Sequence, residues 1–104
     1  MQQKPRQIAA RILFEWEAGN QFAESVLREQ LSQSNLKPID RHMVQEMVFG
    51  VIRNMILLDT WIDEKATRPP GKTRARTILR LGLYQIAFMD RIPEHAAVHE
   101  TVAT

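Results

Sequence analysis

The chain has 104 residues, of which 44% are hydrophobic and 25% are charged, and its formal net charge at pH 7 is +2. These values predict one globular domain with a single core. Cysteine is absent, which excludes a disulfide framework, a thiolate metal site and a cysteine nucleophile within these residues. No apolar stretch reaches the ~20 residues needed to cross a bilayer and no secretory signal opens the chain, so we expect a cytoplasmic protein without a membrane partner.

Charge is distributed unevenly along the chain. Residues 1–11 hold three basic residues and no acid, and residues 65–80 hold six basic residues and no acid. Between them, residues 12–64 hold nine acids and four bases. If the fold brings the two basic segments together, they form a positive face of the kind that binds the phosphates of nucleic acid, despite the small net charge.

The first helix is predicted over residues 5–18, because proline suits a first turn and Gly19-Asn20 is a stop signal. Its inward arc consists of Ile8, Ala9, Ile12, Leu13 and Trp16, and Lys4, Gln7 and Arg11 fall on the opposite side with Phe14 close to Arg11. Two interpretations of that side stay open. The cations and the ring either bind an RNA backbone and base, or they form a solvated face with Phe14 covered by a neighbouring helix.

The next two helices are predicted from apolar spacing. A short helix over residues 22–31 turns Phe22, Leu27 and either Val26 or Ala23 inward, and the polar run 32–35 ends it. Asp40 then has the position of a cap for a third helix, which extends to about residue 52. Gly50 inside that helix predicts a close crossing with another helix.

A fourth helix follows an interruption at Asn54 and is predicted over residues 55–66. The loop 68–72 contains two adjacent prolines and leads into the most apolar segment of the chain, residues 77–89, which we predict to be the buried central helix. Gly82 in this segment predicts a notch for another helix backbone. Arg80 lies deepest in the apolar run, and we expect it to pair with an acid from another helix; Lys72, Arg74 and Arg76 are expected to be exposed.

Catalytic and metal-binding patterns are weak. The last predicted helix opens at Pro93 and places His95 and His99 four residues apart, but the metalloprotease pattern requires a Glu where Ala96 stands, and only His42 offers a third imidazole. The four glycines form no phosphate loop, and no serine lies in a nucleophile elbow. We therefore predict neither a metal site nor a catalytic residue in this chain.

Five segments together resemble one known family. They are residues 40–41 (Asp-Arg), 48–53 (Val-Phe-Gly-Val-Ile-Arg), 58–59 (Leu-Asp), 79–86 (Leu-Arg-Leu-Gly-Leu-Tyr-Gln-Ile) and 91–102 (Arg-Ile-Pro-Glu-His-Ala-Ala-Val-His-Glu-Thr-Val). The pattern resembles the NusB-like domain, and most closely the one that begins the Sun/Fmu (RsmB) family of bacterial 16S ribosomal RNA cytosine-C5 methyltransferases. Arg6, Ala9 and Leu13 of the first helix add a generic similarity, so the likeness covers essentially the whole chain.

The resemblance implies an all-α bundle of five to six helices around the buried central helix, as a single NusB-like domain over residues 1–104. It also implies that these residues are the N-terminal part of a longer enzyme, in which a following domain binds S-adenosylmethionine and attacks cytosine through cysteines. Neither the cysteines nor the cofactor loop lies in this chain. The chain alone is therefore expected to hold no cofactor and to be no enzyme.

Three functions remain open at this point. The first is an RNA-binding accessory domain that helps to position 16S rRNA for the methyltransferase domain of the same chain. The second is a free-standing NusB-like factor for transcription antitermination or rRNA processing, and the third is a helical domain that docks on its enzyme without touching RNA. A homodimer is a further open possibility. For the first function, the predicted contacts to RNA phosphates are Lys4, Arg6, Arg11, Lys72, Arg74 and Arg76.

Overall fold

The computed structural model describes residues 4–19 and 21–89, and these residues form five α-helices. In chain order the helices are α1 (Pro5–Ala18), α2 (Ala23–Ser32), α3 (Pro38–Arg53), α4 (Met55–Lys65) and α5 (Arg74–Phe88). The described part of the chain contains no β-strand. This confirms the predicted all-α class. The predicted helix after Pro93, with His95 and His99, lies outside the described residues.

Prolines stand at the start of two helices, and a side-chain cap stands at the start of one. Pro5 and Pro38 stand in the first turns of α1 and α3, where a missing N–H costs nothing. The prediction of Asp40 as the cap of α3 is wrong, because Lys37 holds the capping position and Asp40 lies in the first turn. There its carboxylate faces the positive end of the helix dipole. Thr73 caps α5 by accepting a hydrogen bond from the Arg76 N–H, so α5 begins one turn before residue 77.

Phe22 shows where the periodicity of α2 was misread. It was predicted to turn inward, but it holds the N-cap position of α2 and its side chain is 83% exposed. Val26, Leu27 and Leu31 supply the buried side of the helix instead. Because the cap residue has extended backbone angles, the helical spacing that would direct Phe22 inward begins only after it.

The core lies between α1 and α3, which pack more extensively on each other than any other pair of helices. Its fully buried side chains include Ile12, Leu13, Val44, Met47, Val48, Val51, Leu58 and Leu81. Helix α5 contacts α1, α3 and α4, in agreement with its predicted central position. The side chains of α5 are less completely buried than the apolar sequence suggested, because Leu79 and Phe88 remain about two-fifths exposed.

Two glycines that were both predicted to allow close helix packing differ in the structure. A Cβ atom at Gly50 would overlap the ring of Tyr84, so the prediction of a close helix crossing at Gly50 is confirmed, and the structure shows that the partner is α5. Among residues 4–19 and 21–89, no atom lies within 4 Å of a Cβ atom placed at Gly82, so no described helix occupies the predicted notch. Within the described residues, no helix is both long enough and apolar enough to cross a membrane.

Candidate nucleic-acid interface

The two arginines in the interior of α5 face two acids of α4. Arg76 and Arg80 are one helical turn apart on α5, and Asp59 and Asp63 are one turn apart on α4. Since both pairs have the same spacing, the two helices present matched rows of opposite charge. Glu17 near the end of α1 adds a third acid. These five side chains link α1, α4 and α5, and we call them the internal network.

Arg80 is the centre of this network and is only 5% exposed. Its Nε donates to Asp59 Oδ1 at 2.7 Å, its Nη2 donates to Asp59 Oδ2 at 3.1 Å, and its Nη1 donates to Glu17 Oε1 at 2.6 Å. The prediction that Arg80 is a buried arginine paired with acids of other helices is therefore confirmed. The planar guanidinium suits this two-point contact with a carboxylate.

Arg76 was predicted to be exposed, and this is wrong. The residue is 8% exposed, and its side chain donates to Asp63 Oδ1 at 2.5 Å, to Asp59 Oδ1 at 3.1 Å and to the backbone oxygen of Pro70 at 2.6 Å. The loop before α5 folds back so that the carbonyl of Pro70 meets the arginine. These three hydrogen bonds direct the guanidinium into the protein and away from any surface phosphate.

The network sets the protonation of its members. Burial raises the pKa of Asp59, but hydrogen bonds from Arg80 and Arg76 and their positive charge outweigh it, so the pKa lies below the ordinary value of 3.8. The hydrogen bond to Asp63 raises the pKa of Arg76 above its ordinary value, against the opposing effect of burial. Asp59 and Arg76 are therefore both charged at neutral pH, and the charge of each stabilises that of the other.

Arg6, another predicted RNA contact, is half-buried and donates from Nε to Oε1 of Gln85. Gln85 is fully buried on α5 and donates from Nε2 to the carbonyl of Leu81 at 3.1 Å. Gln85 is the only strongly polar side chain of the apolar half of α5, and its amide is satisfied within the protein. Arg6 thus connects the start of α1 to the second half of α5.

The contacts between α1 and α5 fix their relative direction. Arg6 at the start of α1 meets Gln85 near the end of α5, whereas Glu17 at the end of α1 accepts a hydrogen bond from Thr77 near the start of α5 at 2.9 Å. The two helices therefore run in opposite directions. The second basic segment, which precedes and opens α5, consequently lies beside the C-terminal half of α1.

Arg74 joins the two basic segments. Its guanidinium carbon lies 4.9 Å from the centroid of the Phe14 ring, in cation–π geometry. Phe14 follows Arg11 by three residues, and Lys4 lies on the same side of α1 at helical spacing. Lys4, Arg11 and Arg74 are exposed. We call Lys4, Arg11, Phe14 and Arg74 the cationic stripe.

The six predicted RNA contacts thus fall into two groups. Lys4, Arg11 and Arg74 lie in the cationic stripe, and Lys72 is exposed two residues before Arg74. Arg76 belongs to the internal network, and Arg6 is engaged with Gln85. The stripe extends from residue 4 to residue 14 of the chain, which at 1.5 Å per residue is about 15 Å along α1.

Sequence reasoning missed the acids of the network. No partner was predicted from the sequence for Glu17, Asp59 or Asp63. The signal that could have identified the α4–α5 contact is the equal four-residue spacing of the two acids and of Arg76 and Arg80.

Among the described residues, no group of three histidine or acidic side chains is placed to hold a metal ion.

Comparison with known proteins identifies relatives over most of the chain. The profile of the NusB family matches residues 3–104. A probable ribosomal RNA small subunit methyltransferase B from Synechocystis sp. is 35% identical over 99 residues, which cover 93% of this chain and 22% of the relative. A protein of the same description from Bacillus subtilis is 31% identical over 98 residues, again 93% of this chain and 22% of the relative.

A third relative, ribosomal RNA small subunit methyltransferase B of Escherichia coli O157:H7, is 38% identical over 92 residues, or 79% of this chain and 21% of the relative. The chain therefore spans about a fifth of the length of the curated relatives it matches. No solved structure gave a significant match. The match of the family profile across nearly the whole chain, together with the all-helical fold, shows that the chain belongs to the NusB family.

Proposed function

We propose that this chain is the RNA-binding accessory domain of a bacterial 16S rRNA cytosine-C5 methyltransferase and forms the N-terminal part of that longer enzyme. The observation that carries the proposal is the contact of Arg74 with Phe14, which joins cations from two separate basic segments into one stripe. The relatives named ribosomal RNA small subunit methyltransferase B support the identity of the linked enzyme.

In this function the cationic stripe binds RNA phosphates. Lys4, Arg11 and Arg74 supply positive charge along about 15 Å of surface, enough to follow several phosphates of one strand. Contacts of this kind fix the position of a nucleic acid but do not read its sequence. The domain would therefore raise the local concentration of rRNA beside the methyltransferase domain, and the choice of the target cytosine would belong to that domain.

The internal network supports the same function by holding α5 in place. Arg76 and Arg80 hold α5 against α4 and α1, so the start of α5 cannot rotate freely. Arg74 is two residues from Arg76, and its position over Phe14 depends on that rigidity.

S-adenosylmethionine would be bound by the linked methyltransferase domain, where it supplies the methyl group, and we place the whole enzyme in the cytoplasm.

The direct test is binding of the 104-residue chain to a 16S rRNA fragment over a range of salt concentrations. Native protein is compared with the double variant Arg11→Gln/Arg74→Gln. Each phosphate contact to single-stranded RNA contributes about 0.7 to the slope of log K against log salt, so losing two contacts should lower the slope by about 1.4. Glutamine keeps most of the side-chain length and removes only the charge.

The control is the double variant Arg28→Gln/Lys37→Gln, which removes the same charge from other surfaces. Arg28 is exposed on α2 and, among the residues that the structure describes, pairs only with Glu24 at 3.1 Å; Lys37 is exposed before α3. Its slope should equal that of the native chain. Equal effects of both variants, or absence of salt-sensitive binding in the native chain, would reject the proposed surface.

The link to an enzyme has its own test. The coding sequence that contains these residues should continue into a domain with a cofactor-binding loop and catalytic cysteines. A natural stop codon close to residue 104 would reject the proposal that the chain is part of a methyltransferase and would favour a free-standing factor.

A further inference from the structure

A groove of about 470 Å³ opens at the end of α1, next to the cationic stripe. Its lining residues come from the end of α1, the start of α4, the loop before α5 and α5 itself: Trp16, Glu17, Gly19, Met55, Lys72 and Arg80. This volume lies within the range of pockets that bind small molecules. Lys72 is two residues from Arg74, so the groove and the stripe share the segment that leads into α5.

The lining combines three kinds of group. Trp16 is half-buried and provides an aromatic surface, and Met55 provides an apolar one. Glu17 and Arg80 neutralise each other across 2.6 Å. Lys72 is exposed and forms no ion pair within the described residues, so its ammonium group is available to an anion. An aromatic surface beside a free cation is a combination that binds a base and its phosphate.

The polar groups of the groove also have spare hydrogen-bonding capacity. A guanidinium has five N–H donors, and Arg80 uses three of them on Asp59 and Glu17. Glu17 accepts one hydrogen bond on each oxygen, from Arg80 and from Thr77. Each carboxylate oxygen has a second acceptor site. The groove can therefore offer both donors and acceptors to the edge of a base without breaking the network.

From these features we propose that the groove binds one unpaired nucleobase of the RNA strand, with the base against Trp16 and its phosphate beside Lys72. The inference rests on the proposed function, because the strand that supplies the base lies on the cationic stripe. It adds a contact that a phosphate surface lacks. Single-stranded regions would be preferred over duplex, since only an unstacked base can enter the groove.

The test uses the intrinsic fluorescence of Trp16. The chain has two tryptophans, so the variant Trp61→Phe leaves Trp16 as the only one and keeps an aromatic ring beside Phe88. This variant is titrated with a single-stranded RNA of about ten nucleotides and with an abasic strand of the same length and charge. Stacking on one aromatic side chain should make the base-containing strand bind about 5- to 150-fold more tightly, and only that strand should quench Trp16.

Two substitutions of Trp16 separate the stacking of a base on this side chain from its packing against the core. Trp16 also packs against the core, so Trp16→Leu keeps apolar bulk, and Trp16→Phe keeps an aromatic face. In an otherwise native chain, Trp16→Leu should lose the preference for the base-containing strand, Trp16→Phe should retain most of it, and both should bind the abasic strand like native protein. Circular dichroism confirms that each variant is folded.

The outcomes distinguish this inference from the proposed function. Salt-sensitive binding of both strands with equal affinity would overturn the base-binding groove and leave the phosphate-binding stripe in place. If Trp16→Leu weakened the binding of both strands equally, Trp16 would have a purely structural role, and the inference would be overturned as well. If neither strand binds at low salt, both proposals fail.

Discussion

Arg80 binds Asp59 through two parallel hydrogen bonds, from Nε to Oδ1 at 2.7 Å and from Nη2 to Oδ2 at 3.1 Å. The same guanidinium holds Glu17 of α1, so one buried side chain connects three helices. Such a charge is stable in the interior only while its partners remain in place. The arrangement makes the position of α5 dependent on a few polar contacts as well as on apolar packing.

The first prediction concerns the removal of this charge. Arg80→Met keeps a long side chain but leaves Asp59 and Glu17 without their main partner. Breaking a buried ion pair from one side costs about 3–5 kcal/mol, and since Asp59 and Glu17 are each about one-third exposed we expect the lower value, about 3 kcal/mol. Urea unfolding at pH 7 measures the free energy of unfolding.

The matched control is Arg28→Met, which removes an arginine from an exposed pair with Glu24. Both side chains of that pair are about three-quarters exposed, and such pairs contribute at most about 0.5 kcal/mol. If Arg80→Met were no more destabilising than Arg28→Met, the network would not contribute to the stability of the fold.

The second prediction concerns pH. The pKa of Asp59 in the folded chain lies below its ordinary value of 3.8, so the unfolded chain takes up this proton first as the pH falls. The contribution of Asp59 to stability is therefore fully present above about pH 5, and it is lost as the pH falls below 3.8 and through the folded-state pKa. Native protein and Asp59→Asn should differ in free energy of unfolding at pH 7 and converge towards pH 2.

Glu64→Gln provides the comparison, because Glu64 is an exposed acid of the same helix. Its difference from native protein should be small at every pH. A difference between native protein and Asp59→Asn that stays constant from pH 7 to pH 2 would contradict the assignment of acid sensitivity to Asp59.

The third prediction uses one substitution at two glycines of opposite surroundings. Gly50→Ala places a methyl group into the ring of Tyr84 and should cost about 1–3 kcal/mol, because a packed core must shift to admit it. Gly82→Ala meets no atom of the described part of the chain within 4 Å and lies inside α5, where alanine favours the helix by up to about 1 kcal/mol. The midpoint temperature of thermal unfolding should therefore fall for Gly50→Ala and rise for Gly82→Ala. A shift of both midpoints in the same direction would contradict the packing described for one of the two glycines.

Local signals in the sequence predicted the helices, and long-range contacts explain the errors. Pro5 and Gly19 predicted both ends of α1, since each acts through its own backbone. The exposure of Arg76 was mispredicted because it depends on Asp63 and on the carbonyl of Pro70, which the chain brings together only in three dimensions. Arg80 was predicted correctly, because an arginine inside an apolar run requires a partner wherever that partner comes from.

The candidate surface was predictable to a similar extent. Charge segregation identified both basic segments, and helical spacing placed Lys4 and Arg11 on one side of α1. The contact of Arg74 with Phe14 depends on the antiparallel arrangement of α1 and α5, which no local pattern encodes. The two glycines illustrate the same limit, because both were given the same role and, among the helices that the structure describes, only Gly50 is in close contact with another helix.

The last prediction separates a cation that supports the fold from one that binds RNA. Arg6→Leu removes the hydrogen bond to the buried Gln85, and a hydrogen bond of this kind contributes about 1 kcal/mol to the free energy of unfolding. Arg11→Gln changes only an exposed charge and should leave that free energy unchanged, while it weakens salt-sensitive RNA binding. Urea unfolding and RNA titration are measured on both variants. Because each assay is expected to respond to one variant more than the other, a variant pair that behaves alike in both assays would contradict the division of the predicted RNA contacts into structural and surface cations.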